Sequence, residues 1–220
     1  MEIINLQGDY HSHTFTFSDG ANSIDELVVQ AGKVGLTELA ITDHSISHLE
    51  SKRIPKKTSG SNTKRWKNIH NDVKVIFGVE ADLLDEDGEV DFEAYSKGKD
   101  FIILSAHRGV YQGNPEKITE AYLRALEKYN SKIDCLGHLC ASSFSGHLDI
   151  GQVIEAANSF SIPPELNCAN LFYGKTDLEK LPLLLSAAER IYVNSDSHTL
   201  YDIGHLRKEG FSYLEKQGLI

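Results

Sequence analysis

Two histidines stand close together near the start of the sequence. His11 and His13 are two positions apart in the segment DYHSHTFTFS, behind Asp9 and ahead of Asp19. Side chains alternate between two faces along an extended segment, so both imidazoles are expected to point the same way. The spacing therefore predicts that the pair binds one metal ion at the end of the first strand.

Other histidines and acidic residues follow later apolar segments in the same manner. Each lies at or just after the carboxyl end of a predicted strand, and the residues are His44, Glu80, His107, His138, Asp196 and His198. In a parallel β/α barrel these strand ends meet on the face that carries active sites. Residues from position 11 to position 198 are therefore expected to become neighbours.

With His11, His13 and Asp19, the set contains six histidines and three carboxylates. Nine candidate ligands are too many for one tetrahedral or octahedral ion, and carboxylates can bridge two cations. The set therefore predicts two or three divalent ions. The surplus positive charge of such a centre suits a phosphate dianion.

Several polar residues near these positions receive weaker assignments. The remaining histidines, His48, His70, His147 and His205, lie in predicted loops or helices and are assigned no ligand role. Of these, His48 and His147 could contact substrate from loops, and Asn167 and Asn170 in ELNCAN could do so from the sixth strand end. Asp9 is expected to face away from the metals, where it orients a histidine or makes a structural hydrogen bond.

The elements that position these residues alternate between strands and helices, the pattern of β/α units around a parallel sheet. The predicted strands are 3–10, 38–42, 73–79, 100–106, 133–137, 164–167 and 190–194. The predicted helices are 23–33, which opens with a serine cap, 115–128, 148–159, 177–188 and 203–216. Residues 84–91 carry an Asp-Gly turn typical of a hairpin.

One basic segment interrupts the alternation. Residues 45–67 contain Lys52, Arg53, Lys56, Lys57, Lys64 and Arg65 among serine, threonine and glycine. The segment is interpreted as a long loop, either a solvated surface loop or a lid that brings positive charge to an anionic substrate.

Composition limits the function further. The chain has 220 residues and a formal net charge of -10, which disfavours nucleic-acid binding by phosphate neutralisation and favours a small substrate. We expect one domain over residues 1–220, no membrane span, no secretory signal and a cytoplasmic location. Three cysteines, Cys135, Cys140 and Cys168, do not suggest a disulfide framework and are expected to be reduced.

The motifs DYHSHTFTFSDG, AITDHS, GVEADL, SAHRG, LGHL and NSDSH occur in the order found in the PHP superfamily, named for polymerase and histidinol phosphatase. The sequence resembles this family over essentially its whole length. The resemblance implies a distorted, TIM-like (β/α)7 barrel with a trinuclear site and assigns all nine candidate residues as metal ligands. It also implies zinc, manganese or iron as the metal. Asp19 stands where some relatives have histidine, which could alter metal preference.

The resemblance favours a free-standing phosphatase of the histidinol-phosphatase type. The expected reaction is hydrolysis of a small phosphomonoester by a metal-bridging hydroxide. Arg108 is the candidate donor to the phosphate oxygens, and either Asp196 or His198 is the candidate proton donor to the leaving group. The oligomeric state is left open.

Two alternatives stay open at this point. One is a nuclease or nucleotide hydrolase that acts on short oligonucleotides or nucleotides, which the negative net charge disfavours. The other is a non-catalytic module that only binds metal, although every motif position holds a residue able to act as a ligand.

Overall fold

The computed structural model describes residues 1–55 and 60–220. Most of the strands are short. Their bounds are β1 Glu2–Ile3, β2 Gly8–Asp9, β3 Glu38–Ile41, β4 Lys74–Phe77, β5 Val79–Leu83, β6 Val90–Asp91, β7 Ile102–Ser105, β8 Cys135–Leu136, β9 Glu165–Asn167 and β10 Arg190–Asn194.

Helices lie between most of the strands. Their bounds are α1 Ile24–Lys33, α2 Ile46–Ser51, α3 Ser61–Arg65, α4 Ile118–Tyr129, α5 Ile150–Ser159, α6 Cys168–Phe172, α7 Leu181–Ala187 and α8 Asp202–Lys216. Two 3-10 turns, Pro115–Lys117 and Ser145–His147, precede α4 and α5. This alternation of strands and helices confirms the predicted α/β class.

The first long helix shows how local sequence sets an element. Ser23 accepts a hydrogen bond from the Glu26 backbone N–H, and the Glu26 carboxylate accepts one from the Ser23 backbone N–H. This capping box satisfies donors that have no partner inside the helix. Leu27, Val28 and Ala31 on one face of α1 are fully buried, so the predicted amphipathic helix is confirmed.

The strands form three sheets in the described residues, with orders β1-β10-β9, β2-β3-β4 and β6-β5-β7-β8. Every pairing except β5 with β6 is parallel. Isolated parallel bridges connect strand ends of different sheets: Ser12 with Ser197, His44 with Glu80, and Leu136 with Pro164. The strands do not form one closed sheet over residues 1–55 and 60–220, so the distorted (β/α)7 barrel stays a prediction.

Two predicted strands are divided. Segment 3–10 splits into β1 and β2 around a turn, in which the Gly8 backbone N–H donates to the Asn5 carbonyl oxygen. Segment 73–79 splits into β4 and β5 at Gly78, where a Cβ atom would lie 2.1 Å from the Phe101 carbonyl oxygen. Apolar patterning alone reports neither the turn at Asn5 and Gly8 nor the distant contact of Gly78 with Phe101, so the sequence predicted single strands.

The predicted loop 45–67 contains the two short helices α2 and α3. Ser45 caps α2 by accepting from the His48 backbone N–H, an N-terminal signal that the sequence interpretation did not use. The interpretation of the whole segment as loop was therefore wrong in part. Lys56 and Lys57 lie outside the described residues.

The predicted hairpin is confirmed. Strand β5 pairs antiparallel with β6 in the register Asp82 with Asp91 and Leu83 with Val90. Gly88, at the turn, has φ of +76°, a conformation that glycine adopts without steric cost.

The largest apolar cluster packs α4, α5 and α7 against β7 to β10. A second cluster packs α1 against β3 and includes Leu27, Leu39 and Ile41. The two clusters hold the strand ends, and hence the loops that follow them, in fixed positions.

All three cysteines are buried and unpaired, as the sequence predicts. No helix among residues 1–55 and 60–220 combines the length and the apolar composition that a bilayer crossing requires.

Candidate metal centre

The loops after the strands bring the predicted ligands to one end of the sheets. The residues that follow strands β2, β3, β7, β8 and β10 are His11 and His13, His44, His107, His138, and Asp196 with His198. Glu80 differs, because the predicted strand 73–79 that it was expected to follow is divided into β4 and β5. Glu80 is the second residue of β5. Asp196 has φ of +54°, an uncommon backbone conformation that is often found at functional sites.

The carboxylate of Glu80 lies at the centre of the histidines. Its contacts are Oε2 to His11 Nε2 at 3.4 Å, to His13 Nε2 at 3.5 Å and to His44 Nδ1 at 2.7 Å, and Oε1 to His107 Nε2 at 3.5 Å and to His138 Nε2 at 2.8 Å. Glu80 is 1% exposed, so these contacts occur away from bulk water. Five histidines from four different loops therefore converge on one buried carboxylate.

Asp196 and Asp19 extend the cluster toward solvent. Asp196 Oδ1 lies 3.2 Å from His13 Nε2 and 3.6 Å from His198 Nδ1. Asp19 Oδ1 lies 3.5 Å from His44 Nε2 and 3.4 Å from His198 Nε2. The structure thus brings together all nine residues that the sequence proposed as ligands.

Two histidines are oriented by carboxylates behind them. His11 Nδ1 lies 3.1 Å from both carboxylate oxygens of Glu165, and His107 Nδ1 lies 2.7 Å from Asp82 Oδ1. A hydrogen bond at Nδ1 places the proton there and leaves the Nε2 lone pair facing the cluster. Metal-ligating histidines in proteins are usually held in this way.

Several buried atoms of the cluster have no hydrogen-bond partner among the described residues. They are His11 Nε2, both ring nitrogens of His13, His44 Nδ1 and Glu80 Oε2. His44 Nδ1 and Glu80 Oε2 lie 2.7 Å apart but are not aligned for a hydrogen bond. A buried polar atom without a partner costs about 1–3 kcal/mol, so such a concentration needs an explanation. Imidazole nitrogens and carboxylate oxygens at this spacing form a donor set that fits divalent cations such as zinc, manganese or iron.

Four groups of side chains have ligand atoms close enough to share an ion. They are His13, Asp19, His44 and His198; His44, His48 and His107; His11, His13 and Asp196; and Glu80, His107 and His138. Since several residues belong to two groups, the groups describe one continuous centre and leave the number of ions open.

The ionisation of the cluster follows from the proximity of opposite charges. Burial raises the pKa of Glu80, but the charges of His11, His44 and His107 outweigh it and hold that pKa well below its usual range. Burial lowers the pKa of His107, but the Glu80 and Asp82 carboxylates raise it to about 9. The pKa of His198 is also about 9, because Asp19 and Asp196 outweigh the effect of burial.

A cavity of about 320 Å³ opens onto the cluster. Beyond the predicted ligands it is lined by His48, Lys52, Ala141, Ser142, Ser143, Asn170 and Lys175. Its size suits a small molecule, and within the described part of the basic segment 45–67 the lining residues are His48 and Lys52.

Some residues singled out in the sequence lie elsewhere. Arg108 is not part of this lining; its Nε donates to the Ser143 carbonyl oxygen at 3.0 Å, and it lines a neighbouring cavity. His70 pairs with Asp25, His147 pairs with Glu116, and the His205 ring packs against aromatic side chains. These three histidines have no contact with the cluster.

His48 was assigned no ligand role but was considered as a substrate contact, and its ring lines the cavity beside His44. It stacks on His44 with ring centroids 3.8 Å apart and an angle of 10° between the planes, and it is 4% exposed. Its position on α2 follows from the serine cap at Ser45, which was the available sequence signal.

Sequence reasoning also missed the supporting carboxylates. Glu165, in β9, accepts from the His138 backbone N–H and from Asn167 and Asn194 as well as facing His11. The sequence signal was a glutamate beside Leu166 in a predicted buried strand. Asp43 accepts from the Thr14 backbone N–H at 2.6 Å, which fixes the segment after the first histidine pair.

Asn167, Asn170 and Asp9, which the sequence singled out, contact the cluster, the cavity and the backbone respectively. Asn167 donates to Asp196 Oδ2 at 3.1 Å, and Asn170 lines the cavity. Asp9 accepts a hydrogen bond from the Ser195 backbone N–H at 3.0 Å. Of the two roles considered for Asp9, the structure therefore shows the structural hydrogen bond.

The fold and the site define a protein with a buried His/Asp/Glu cluster, able to hold metal, at the strand ends of an α/β domain. The model of the PHP domain family matches residues 9–162, and the chain belongs to that family. The resemblance stated from the motifs is therefore confirmed.

Similar proteins are named as phosphatases. A probable phosphatase of Caldanaerobacter subterraneus subsp. tengcongensis is 29% identical over 213 residues, covering 89% of this chain and 78% of that protein. A probable phosphatase of Vibrio parahaemolyticus is 28% identical over 206 residues, covering 90% of this chain and 80% of the relative.

Two solved structures share the fold. A candidate histidinol phosphatase HisK of Listeria monocytogenes has a TM-score of 0.62 at 19% identity and covers 94% of this chain and 99% of its own. Histidinol phosphate phosphatase of Lactococcus lactis was solved with zinc, L-histidinol and phosphate. It has a TM-score of 0.58 at 17% identity and covers 97% of this chain and 94% of its own.

Proposed function

We propose that this protein is a metal-dependent phosphoesterase that hydrolyses a small phosphomonoester. The observation that carries the proposal is the set of buried, unpaired nitrogens arranged around Glu80. The chain is an enzyme of the hydrolase class, in line with relatives named phosphatases and with structural neighbours of the histidinol-phosphatase type.

Two or three divalent ions are proposed for the centre, held by the six histidines and three carboxylates. Bound there, they would supply Lewis acidity that offsets phosphate charge and makes water a better nucleophile. The overlap of the four ligand groups supports more than one ion. Zinc is supported by its presence in the Lactococcus lactis neighbour, and manganese and iron suit the same mixed set of nitrogen and oxygen ligands.

The protein's own side chains then bind and orient the substrate. His48, Asn170 and the two lysines of the lining provide polar contacts above the ligand layer. The Nδ1 atom of His198 lies 3.2 Å from the Asp196 carbonyl oxygen, which places its proton on Nδ1. The side chain of His198 is 37% exposed, whereas that of Asp196 is 15% exposed. Asp196 and His198 both stay proposed as the proton donor to the leaving group; His198 would act through Nε2, in place of metal ligation by that atom.

Arg108 stays a prediction as the donor to phosphate oxygens. Its guanidinium contacts Ser143, which lines both the metal cavity and the neighbouring one, so a change of rotamer would be needed for contact with phosphate. A single domain over residues 1–220 and a distorted seven-stranded barrel are likewise proposed. The three parallel bridges between the ends of the sheets support the barrel.

The test is phosphate release from p-nitrophenyl phosphate by purified protein supplied with zinc, manganese or iron. We expect turnover that stops with chelator and returns when metal is added back. His11→Ala should abolish turnover, and His70→Ala, an exposed histidine outside the site, should not. Absence of release with every metal, or full activity in His11→Ala, would contradict the proposal.

A further inference from the structure

The outer lining of the cavity carries a charge pattern of its own. The three carboxylates that line it, Asp19, Glu80 and Asp196, all belong to the proposed metal centre. Among residues 1–55 and 60–220, no other acidic side chain lines the cavity, whereas Lys52 and Lys175 both do. The surface that remains to contact a leaving group is therefore cationic or neutral.

The two lysines come from distant parts of the chain and are fixed by their backbones. The Lys52 backbone N–H donates to the His48 carbonyl oxygen, so Lys52 continues the α2 segment that carries His48. The Lys175 backbone N–H donates to the Asn170 carbonyl oxygen, and its own carbonyl oxygen accepts from the Ser142 N–H at 2.9 Å. Both lysines are thus anchored beside other lining residues.

Neither ammonium group is neutralised by the protein. Lys52 and Lys175 are exposed and form no ion pair within the described ranges 1–55 and 60–220. Lys74, Lys99, Lys117 and Lys128, by contrast, each pair with a glutamate. Two free cations at the same cavity favour an anionic partner.

Three nearby carboxylates outside the proposed metal centre are not available to bind a cationic group of a substrate. Asp82 and Glu165 are buried behind His107 and His11, and Asp43 is bonded to Thr14. None of the three reaches the lining. An ammonium group on the leaving alcohol would therefore meet two cations and no available carboxylate.

From this pattern we infer that the substrate is a phosphomonoester whose leaving group carries a second anionic group, and that Lys52 and Lys175 bind that group. The inference rests on the proposed phosphoesterase function. The serine side chains and Asn170 of the same lining supply neutral hydrogen bonds. A cationic alcohol such as histidinol, the ligand of the Lactococcus lactis neighbour, is disfavoured at this site.

The first experiment measures binding, so it does not depend on turnover. Three phosphonates that cannot be hydrolysed and differ only at the far end are titrated into zinc-loaded protein by calorimetry: carboxyethyl, hydroxypropyl and aminopropyl phosphonate. We expect binding to weaken in that order, by about tenfold overall for charges near a protein surface. Equal affinity for the three compounds, or no binding of any, would overturn the inference.

Variants then test whether Lys52 and Lys175 cause the difference in affinity among the three compounds. Lys52→Gln with Lys175→Gln should weaken binding of the carboxylate compound alone, bringing it close to the hydroxyl compound. Lys208→Gln, an exposed lysine on α8 away from the cavity, is the matched control and should bind as the unaltered protein does. An equal loss for all three compounds would mean that the lysines contact only the phosphonate, and would overturn the assignment.

Kinetics with phosphoglycolate, hydroxyethyl phosphate and phosphoethanolamine separate this inference from the proposed function. Turnover of p-nitrophenyl phosphate together with a kcat/KM that is equal across the three esters would refute the anionic substrate and leave the phosphoesterase intact. Failure of every ester with every metal would refute the phosphoesterase itself.

Discussion

Glu165 presents both carboxylate oxygens to His11 Nδ1 at 3.1 Å, across 154 positions of sequence. Both side chains are fully or almost fully buried. Because Glu165 also accepts from the His138 backbone N–H at 3.1 Å, one carboxylate fixes the positions of two proposed ligands. The metal centre therefore depends on a residue that would not itself contact the metal.

Replacing Glu165 by glutamine should weaken metal binding. The amide keeps the size of the side chain but removes the charge that holds His11, and loss of such a partner typically costs 10–100-fold in metal affinity. Competition with a chromophoric chelator measures the change. Glu209→Gln, at an exposed glutamate on α8, is the control and should leave affinity unchanged. An unaltered affinity in Glu165→Gln would show that His11 needs no such support.

His48 should not be a metal ligand, although one of its nitrogens lies near those of His44 and His107. The rings of His44 and His48 are within 10° of parallel, so their in-plane lone pairs run side by side and do not converge on one ion. We expect His48→Phe, which preserves the stacked ring, to keep the full metal content. His44→Phe should lose metal. Elemental analysis measures the metal content of both purified variants. A loss of metal in His48→Phe would show that His48 is a ligand.

Metal binding at pH 8 should release protons. The pKa values of His107 and His198 are about 9, so both imidazoles are mainly protonated in the metal-free protein at that pH. A ligating imidazole must be neutral, and apparent affinity should therefore fall as pH is lowered. Calorimetry in two buffers of different ionisation enthalpy measures the released protons. No net release would contradict the ligand assignment of these histidines.

The raised pKa values of His107 and His198 also determine how the free energy of unfolding of the metal-free protein changes with pH. The folded-state pKa values lie above the ordinary value of 6.5, so the stabilisation is present below pH 6.5 and is lost as pH rises toward about 9. Urea unfolding of chelator-treated protein across this range should show a decreasing free energy of unfolding. Bound metal should reverse that trend, since it stabilises the deprotonated site.

Gly20→Ala should destabilise the protein and disturb His13. A Cβ atom at Gly20 would lie 2.1 Å from the His13 carbonyl oxygen and 2.9 Å from the Thr14 backbone nitrogen, so the backbone must move. We expect a loss of about 1–3 kcal/mol, the usual cost of overpacking, together with weaker metal binding. Denaturant unfolding measures the first effect. Gly146→Ala, where nothing lies within 4 Å, is the control and should be close to neutral.

Elements and ligands were predictable to different degrees. The serine cap at Ser23 and the Asp-Gly hairpin are local signals, and both were predicted correctly. The division of segment 73–79 was not predictable, because it depends on the contact of Gly78 with Phe101. The short helix α2 was missed because the basic composition of the surrounding segment obscured the serine cap before it.

The sequence by itself identified which side chains converge in the proposed metal centre, because these residues occur at strand ends and parallel strands direct their ends to one face. Only the tertiary structure decided what surrounds that centre. It placed Glu165 behind His11, put Lys52 and Lys175 at the cavity, and directed Arg108 to Ser143. These positions depend on the directions of side chains from separate elements, which only the packing of the whole chain fixes.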